Sequence, residues 1–198
     1  MVAQLLAHID TLEAAVGLLD EKIEAMLAPH AKVVELLCTI PGVAVRTARV
    51  LIAECGLDMS RFPTVGHFAS WAGICPGHHE SAVHKKSGRT RPGPRWLTEA
   101  LTESAKAAAR SKGTYFAAHH AQLRGRRGEP RAIGALRHDI LVAYLHIVRD
   151  QVPFRELGPD WQRKRSSPEH RARRLQRQIE ALGYKVTLEE GEAAEQAA

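Results

Sequence analysis

Aromatic side chains are scarce in this sequence: Phe, Trp and Tyr together make up 5% of 198 residues, against 44% hydrophobic residues overall. A core built from such a chain rests on Leu, Val, Ile and Ala, which favours helix packing over a β-sandwich. Cysteine is equally sparse. Cys38, Cys55 and Cys75 are odd in number, stand in apolar surroundings and show no C-x-x-C spacing. That argues against a disulfide framework and a zinc knuckle, and for reduced, buried thiols in a cytoplasmic protein. No unbroken apolar run approaches the roughly 20 residues that span a bilayer, so no membrane partner is expected. The N-terminus lacks the basic start and apolar stretch of a signal peptide. Negative charge is in deficit, with 22 acidic against 28 basic residues and a net charge of +6. Such an excess favours a polyanionic partner, although solubility alone accounts for it equally well.

What is present begins with a heptad seam. Leu5, Ile9, Leu12, Val16, Leu19, Ile23 and Met26 are spaced alternately by four and three residues. β-Branched residues at a and Leu at d favour a parallel two-stranded coiled coil, so residues 1–30 are expected to form a dimerisation helix and the chain a homo-oligomer. The competing reading is one amphipathic helix lying on its own domain. Helices are expected over 31–39, 45–55, 65–72, 95–112, 115–123 and 130–151. Thr114 is a candidate N-cap, and Gly56 a natural stop. Between them, 73–94 reads as an ordered but irregular loop rich in Gly, Pro, His, Lys, Arg and Ser, and 124–128 as a basic turn. From 161 onward a basic segment with a short helix near 175–182 leads into an acidic, disordered tail. The fold expected is mainly α, with a helical domain over 31–160.

Two motifs carry chemistry. The first, over 36–56, has the shape of a helix-hairpin-helix: Leu37, then Ile40-Pro41-Gly42-Val43-Ala44, then a helix with Thr47 and Ala48. A tight glycine turn exposes backbone N–H groups at a helix start, which hold a phosphate without reading sequence. Gly42, Ala44 and Arg46 are the candidate DNA-binding residues there. Ala44 stands where such hairpins carry a second glycine. An ordinary helical corner would look the same.

The second motif is the basic loop 73–94. It offers a hydroxyl, Ser81, among imidazoles and the cations Lys85, Lys86, Arg89, Arg91 and Arg95. A serine attacks a phosphodiester if its oxygen is activated and the developing charge is stabilised. In isolation, a serine in a basic loop is more often a solvated turn residue. His78, His79, His84, His119 and His120 invite a zinc reading, but no cysteine pair accompanies them, and no metal site is assigned to this chain.

In order and spacing these pieces resemble the transposases of the insertion sequence 110 family, the bridge-RNA-guided recombinases. The resemblance runs through the N-terminal seam, Ile40-Pro41-Gly42, Ala72-Gly73-Ile74-Cys75-Pro76-Gly77, Glu80-Ser81-Ala82, Ser87-Gly88-Arg89-Thr90 and Arg95-Trp96-Leu97, and into 148–154 and 175–184. It implies DNA as substrate, a guide RNA as partner and a serine that becomes covalently joined to DNA. By match to the motif that serine is Ser81. It also implies an acidic RuvC-like domain holding Mg2+. This sequence does not include that domain, so the chain alone is expected to be inactive. Two alternatives stay open: a non-enzymatic helix-hairpin-helix DNA-binding fragment and a coiled-coil interaction protein. A base-excision glycosylase, which carries a similar hairpin, is not expected, because it needs a substantial helical domain ahead of the hairpin for which this sequence has no room.

Overall fold

The computed structural model describes residues 1–75, 79–81, 84–86, 90–161 and 168–187, with the backbone alone at 79–81, 84–86, 168–171 and 174. Helix α1 runs Val2–Leu27. A short 3-10 turn, Ala28–His30, carries Pro29 and leads into α2, Ala31–Cys38. Next come α3, Val45–Cys55, and α4, Val65–Trp71. Strands β1, His79–Ser81, and β2, His84–Lys86, precede α5, Arg95–Arg110, α6, Tyr115–Arg127, and α7, Glu129–Asp150. Helix α8 spans Pro168–Glu180. The fold is mainly α, as the composition implies.

The core is aliphatic with a few well-placed rings. Helix α5 buries Leu97, Ala100, Leu101, Ser104, Ala105 and Ala108, an i, i+3, i+4 stripe. Its small residues let neighbours approach closely. Helix α7 packs on α5 and α6 and buries Leu136, Ile140, Leu141 and Tyr144, the last with its ring beside Phe68 of α4. The Tyr144 hydroxyl donates to the Gly56 carbonyl at 2.7 Å, giving a buried polar tip its partner. Thr114 caps α6 by accepting from the Ala117 amide, and Gly56, with φ 71°, ends α3. Beyond α7 the strap 151–158 turns back over the bundle. Phe154 stacks on Phe116 at 5.3 Å, and its amide donates to Thr39 Oγ1 at 2.8 Å. All three cysteines are free. Burial, then the charge of Glu54, pushes the Cys55 thiol up to about 12, so it packs as an apolar side chain.

Helix α1 buries none of its residues, but Val16, Leu19, Ile23 and Met26 border a groove shared with Val45, Arg46, Arg49 and Val50 of α3, so both readings of the seam stand. Several expectations need correction. Residues 124–127 are the last turn of α6, with Gly128 alone as the connection to α7. The loop 73–94 contains an antiparallel hairpin, pairing His79 with Lys86, Glu80 with Lys85 and Ser81 with His84. Three-residue strands without an apolar alternation leave no periodic signal. Finally, the helical stretch Val2–Cys38 contains an 18-residue window of mean hydropathy 1.4, apolar enough by length and composition to cross a membrane. Counting unbroken runs misses it because Asp10 and Glu13 interrupt the run. The segment 162–167 and the acidic tail lie outside the described residues.

Candidate nucleic-acid interface and serine loop

The two motifs sit on one scaffold, α5, at separate places. The hairpin between α2 and α3 is held by backbone bonds from Ile40 to Leu37 and from Val43 to Ile40. Gly42, at its apex, has φ 86° and faces α5. A Cβ there would stand 2.4 Å from the Ser104 carbonyl oxygen and 2.6 Å from the Ala108 nitrogen. This glycine therefore serves close backbone packing within the chain. The open side of the hairpin lies one step later. Ala44, Val45 and Arg46 are exposed, and Ala44 is the N-cap of α3 with no side-chain cap. First-turn amides of a helix have no intrahelical acceptor, so the α3 N-terminus offers unpartnered donors beside Arg46. Arg49, one turn on, lies 3.9 Å from Glu24 of α1.

The serine loop is clasped at its base. Gly73 and Gly93 meet backbone to backbone. A Cβ on Gly93 would fall 2.1 Å from the Ala72 carbonyl oxygen, and one on Gly73 would fall 2.7 Å from both the Arg91 oxygen and the Gly93 nitrogen. Only glycine allows that approach at both positions. Arg91 Nη2 donates to Ser70 Oγ at 3.0 Å, tying the returning strand to α4. The Ile74 amide donates to the Ala69 carbonyl, and the Ile74 side chain is buried. Between these ends the chain forms the β1–β2 hairpin, in which Ser81 and His84 are the innermost register pair. Lys85 and Lys86 lie on β2, and Arg89 lies outside the described residues.

Arg95 opens α5 directly after the clasp. Its Nε donates to Glu99 Oε1 at 3.0 Å, and its guanidinium lies 5.1 Å from the centre of the exposed Trp96 ring. Gly42 packs on Ser104 and Ala108, nine to thirteen residues further along α5, which is about 14–20 Å at the helical rise. The structure thus brings Arg91 and Arg95 together at the loop base and places Ala44 and Arg46 at a second patch. The Gly73–Gly93 clasp escaped sequence reading. Its one signal was a pair of glycines bracketing a segment without periodicity.

The magnesium implied by the resemblance finds no fit in the described residues. Among them no three His, Cys, Asp or Glu side chains stand together in a way that could hold an ion. The carboxylate nearest in sequence to the loop base, Glu99, is engaged by Arg95.

Residues 34–121, from α2 into α6, match the Transposase IS116/IS110/IS902 family. An insertion element IS110 uncharacterized 43.6 kDa protein of Streptomyces coelicolor is 39% identical over 89 residues, covering 44% of this chain and 21% of that protein. A pilin gene-inverting protein of Moraxella bovis is 41% identical over 68 residues, covering 33% of this chain and 21% of the relative. A probable family 20 transposase of Pseudomonas aeruginosa is 28% identical over 111 residues, or 56% and 32%. The matches span between a fifth and a third of these relatives' lengths.

Proposed function

We propose that the chain, whose residues 34–121 match the Transposase IS116/IS110/IS902 family, acts in DNA transposition or recombination. It holds DNA at the α3 N-terminus and the basic loop, and presents Ser81 as the nucleophile. The observation that carries this reading is the glycine clasp. Two backbone strands in direct contact project a short hairpin with Ser81 at its turn end. An ordinary solvated loop has no need of such a closed base. The reaction is a transesterification. The Ser81 oxygen bonds to phosphorus, one bond from phosphorus to a deoxyribose oxygen breaks, and that oxygen leaves as a hydroxyl. The serine proton passes to an acceptor and, in balance, to the leaving oxygen. His84, the register partner of Ser81, is our candidate acceptor, because imidazole exchanges protons near neutral pH.

Binding is tested by salt. Affinity for duplex DNA is expected to fall steeply as salt rises, because each neutralised phosphate releases counterions. Arg46→Gln is expected to make the slope of log affinity against log salt shallower by about 1. The measurement is fluorescence anisotropy across a salt series. A flat response, or no binding at low salt, defeats the reading. The second reading, a helix-hairpin-helix fragment that binds without chemistry, is favoured by the uncapped α3 N-terminus alone. It predicts the same salt response and no covalent product.

Self-association through α1 belongs to the same proposal. Leu12 and Leu19, both d positions, are 55% and 58% exposed, and no residue of α1 is buried. The charges Asp10, Glu13, Asp20, Glu21, Lys22 and Glu24 all avoid the a and d positions. That distribution suits a partner helix better than a lipid surround. The chain is expected to sediment as a dimer without detergent. Leu12→Lys with Leu19→Lys buries charge in the seam and is expected to return it to monomer. A monomeric unmodified chain at high micromolar concentration defeats the idea.

A further inference from the structure

The two halves of α1 meet different surroundings. Val16, Leu19, Ile23 and Met26 of the second half, with Val45 and Val50 of α3, wall an open cavity of about 820 Å³. From Val16 to Met26 it follows α1 for about 15 Å at the helical rise, or nearly three turns. Two helical walls of that length leave a seat for a third helix. Asp20 and Leu27 also line the cavity. Both follow a d residue of the seam and are e positions, so α3 stands on the e side of α1. Among the described residues no such wall stands by the first half, where Leu5, Leu6, Ile9 and Leu12 are all at least half exposed.

Two helices of this chain have apolar faces free to fill the seat: α1 itself, and α8, whose Leu175 and Ile179 are exposed. Charge decides between them. Arg46 and Arg49 stand on the α3 wall. Helix α8 brings Arg171, Arg173, Arg174 and Arg177 and would set cations against cations. The first half of α1 brings Asp10 and Glu13 and no Lys or Arg. It also brings Leu6, an apolar e residue that the a/d seam of a two-stranded pair does not bury. Beside α3 that leucine has a wall to meet.

We propose that the first half of α1 from a second copy seats in the α1–α3 groove, each copy filling the groove of the other. This rests on the self-association reading above and gives it a surface and a direction. A closed two-fold pair that sets first halves on second halves is antiparallel. Val16 then meets Leu12 of the second copy, Leu19 meets Ile9, and Ile23 meets Leu5. Antiparallel pairing lays e beside e, so Leu6 and Glu13 of the guest arrive on the side where Arg46 and Arg49 stand. Parallel pairing, which the heptad letters alone favour, lays e beside g. It brings Lys22 to the arginines and leaves the two first halves as a bare two-stranded stub. Antiparallel pairing also sets both α3 helices, with their Arg46 patches, on one face of the dimer.

The test places a spin label on the full chain at Gln4→Cys, with Cys38→Ser and Cys75→Ser, and reads the label-to-label distance in the dimer. The antiparallel register sets the labels about twenty residues apart in level, which is about 30 Å. Parallel pairing in register keeps them on the order of 10–20 Å apart. Leu6→Lys and Val45→Glu, both at exposed positions, are each expected to raise the dimer dissociation constant about tenfold or more, by setting charge in the seat. Leu18→Lys, an exposed leucine at c, is expected to leave it within about twofold. A short distance, or a dimer that Leu6→Lys and Val45→Glu leave unmoved, overturns the proposal while self-association stands. So does a dimer dissociated by Leu175→Glu with Ile179→Glu, which would give the seat to α8. If the unmodified chain sediments as a monomer, both readings fall together.

Discussion

Ser81→Ala is expected to abolish the covalent protein–DNA adduct while leaving DNA binding within about twofold, since one hydroxyl adds little to a charge-driven affinity. The adduct is sought in a reaction that also contains a partner carrying the acidic magnesium-binding domain, guide RNA and duplex target. It is read as a nuclease-resistant mass shift on a denaturing gel. Alanine removes the only atom able to bond to phosphorus at that position, so the loss is complete rather than graded. Ser87→Ala, a second hydroxyl from the same loop, is expected to keep the adduct. His84→Ala is expected to slow adduct formation by the 10²–10⁴-fold typical of lost general base catalysis. An adduct that survives Ser81→Ala and vanishes with Ser87→Ala would move the nucleophile to Ser87. No adduct with any version would leave the DNA-binding fragment as the function.

The second large effect concerns Gly42. Sequence reasoning alone expects Gly42→Val to weaken DNA binding by blocking a phosphate. The structure changes that expectation to a loss of fold. The new Cβ would press on the Ser104 oxygen and the Ala108 nitrogen, both backbone atoms of α5 that no side-chain rotation can move. The left-handed backbone, φ 86°, adds about 1–2 kcal/mol for any residue with a Cβ, and overpacking adds typically 1–3. Together they make roughly 2–5 kcal/mol, a large share of the 5–15 that hold a domain. The check is a denaturant melt beside the DNA titration. A variant that melts like the unmodified chain but no longer binds DNA would restore the phosphate-approach account. Ala44→Gly, on the exposed side of the hairpin, is the control expected to leave the fold intact.

The same residue shows where local reading ends. Helices α2, α3, α5 and α7 were legible because each carries its apolar stripe and its stops within a few turns of chain. Leu97, Leu101, Ala105 and Ala108 announce one face of α5 without reference to anything else. Thr114 and Gly56 mark helix ends by the same local chemistry. The heptad spacing of α1 was equally plain, and it was the tertiary structure that left the seam without a buried residue and set its second half beside α3. The serine's candidacy came from motif order, since periodicity does not distinguish Ser81 from other loop hydroxyls.

Two features had no local signature. Gly42 needs α5 some sixty residues later, and Gly73 needs Gly93. What the sequence by itself determined was everything set by neighbours along the chain: helix positions, caps, the seam, the charge balance and the family motifs. Tertiary structure alone decided which side of the hairpin faces inward and how the loop base closes. The physical reason is that a backbone hydrogen bond or an apolar stripe is completed within a turn or two. Close backbone approach exists only when distant segments share the same space.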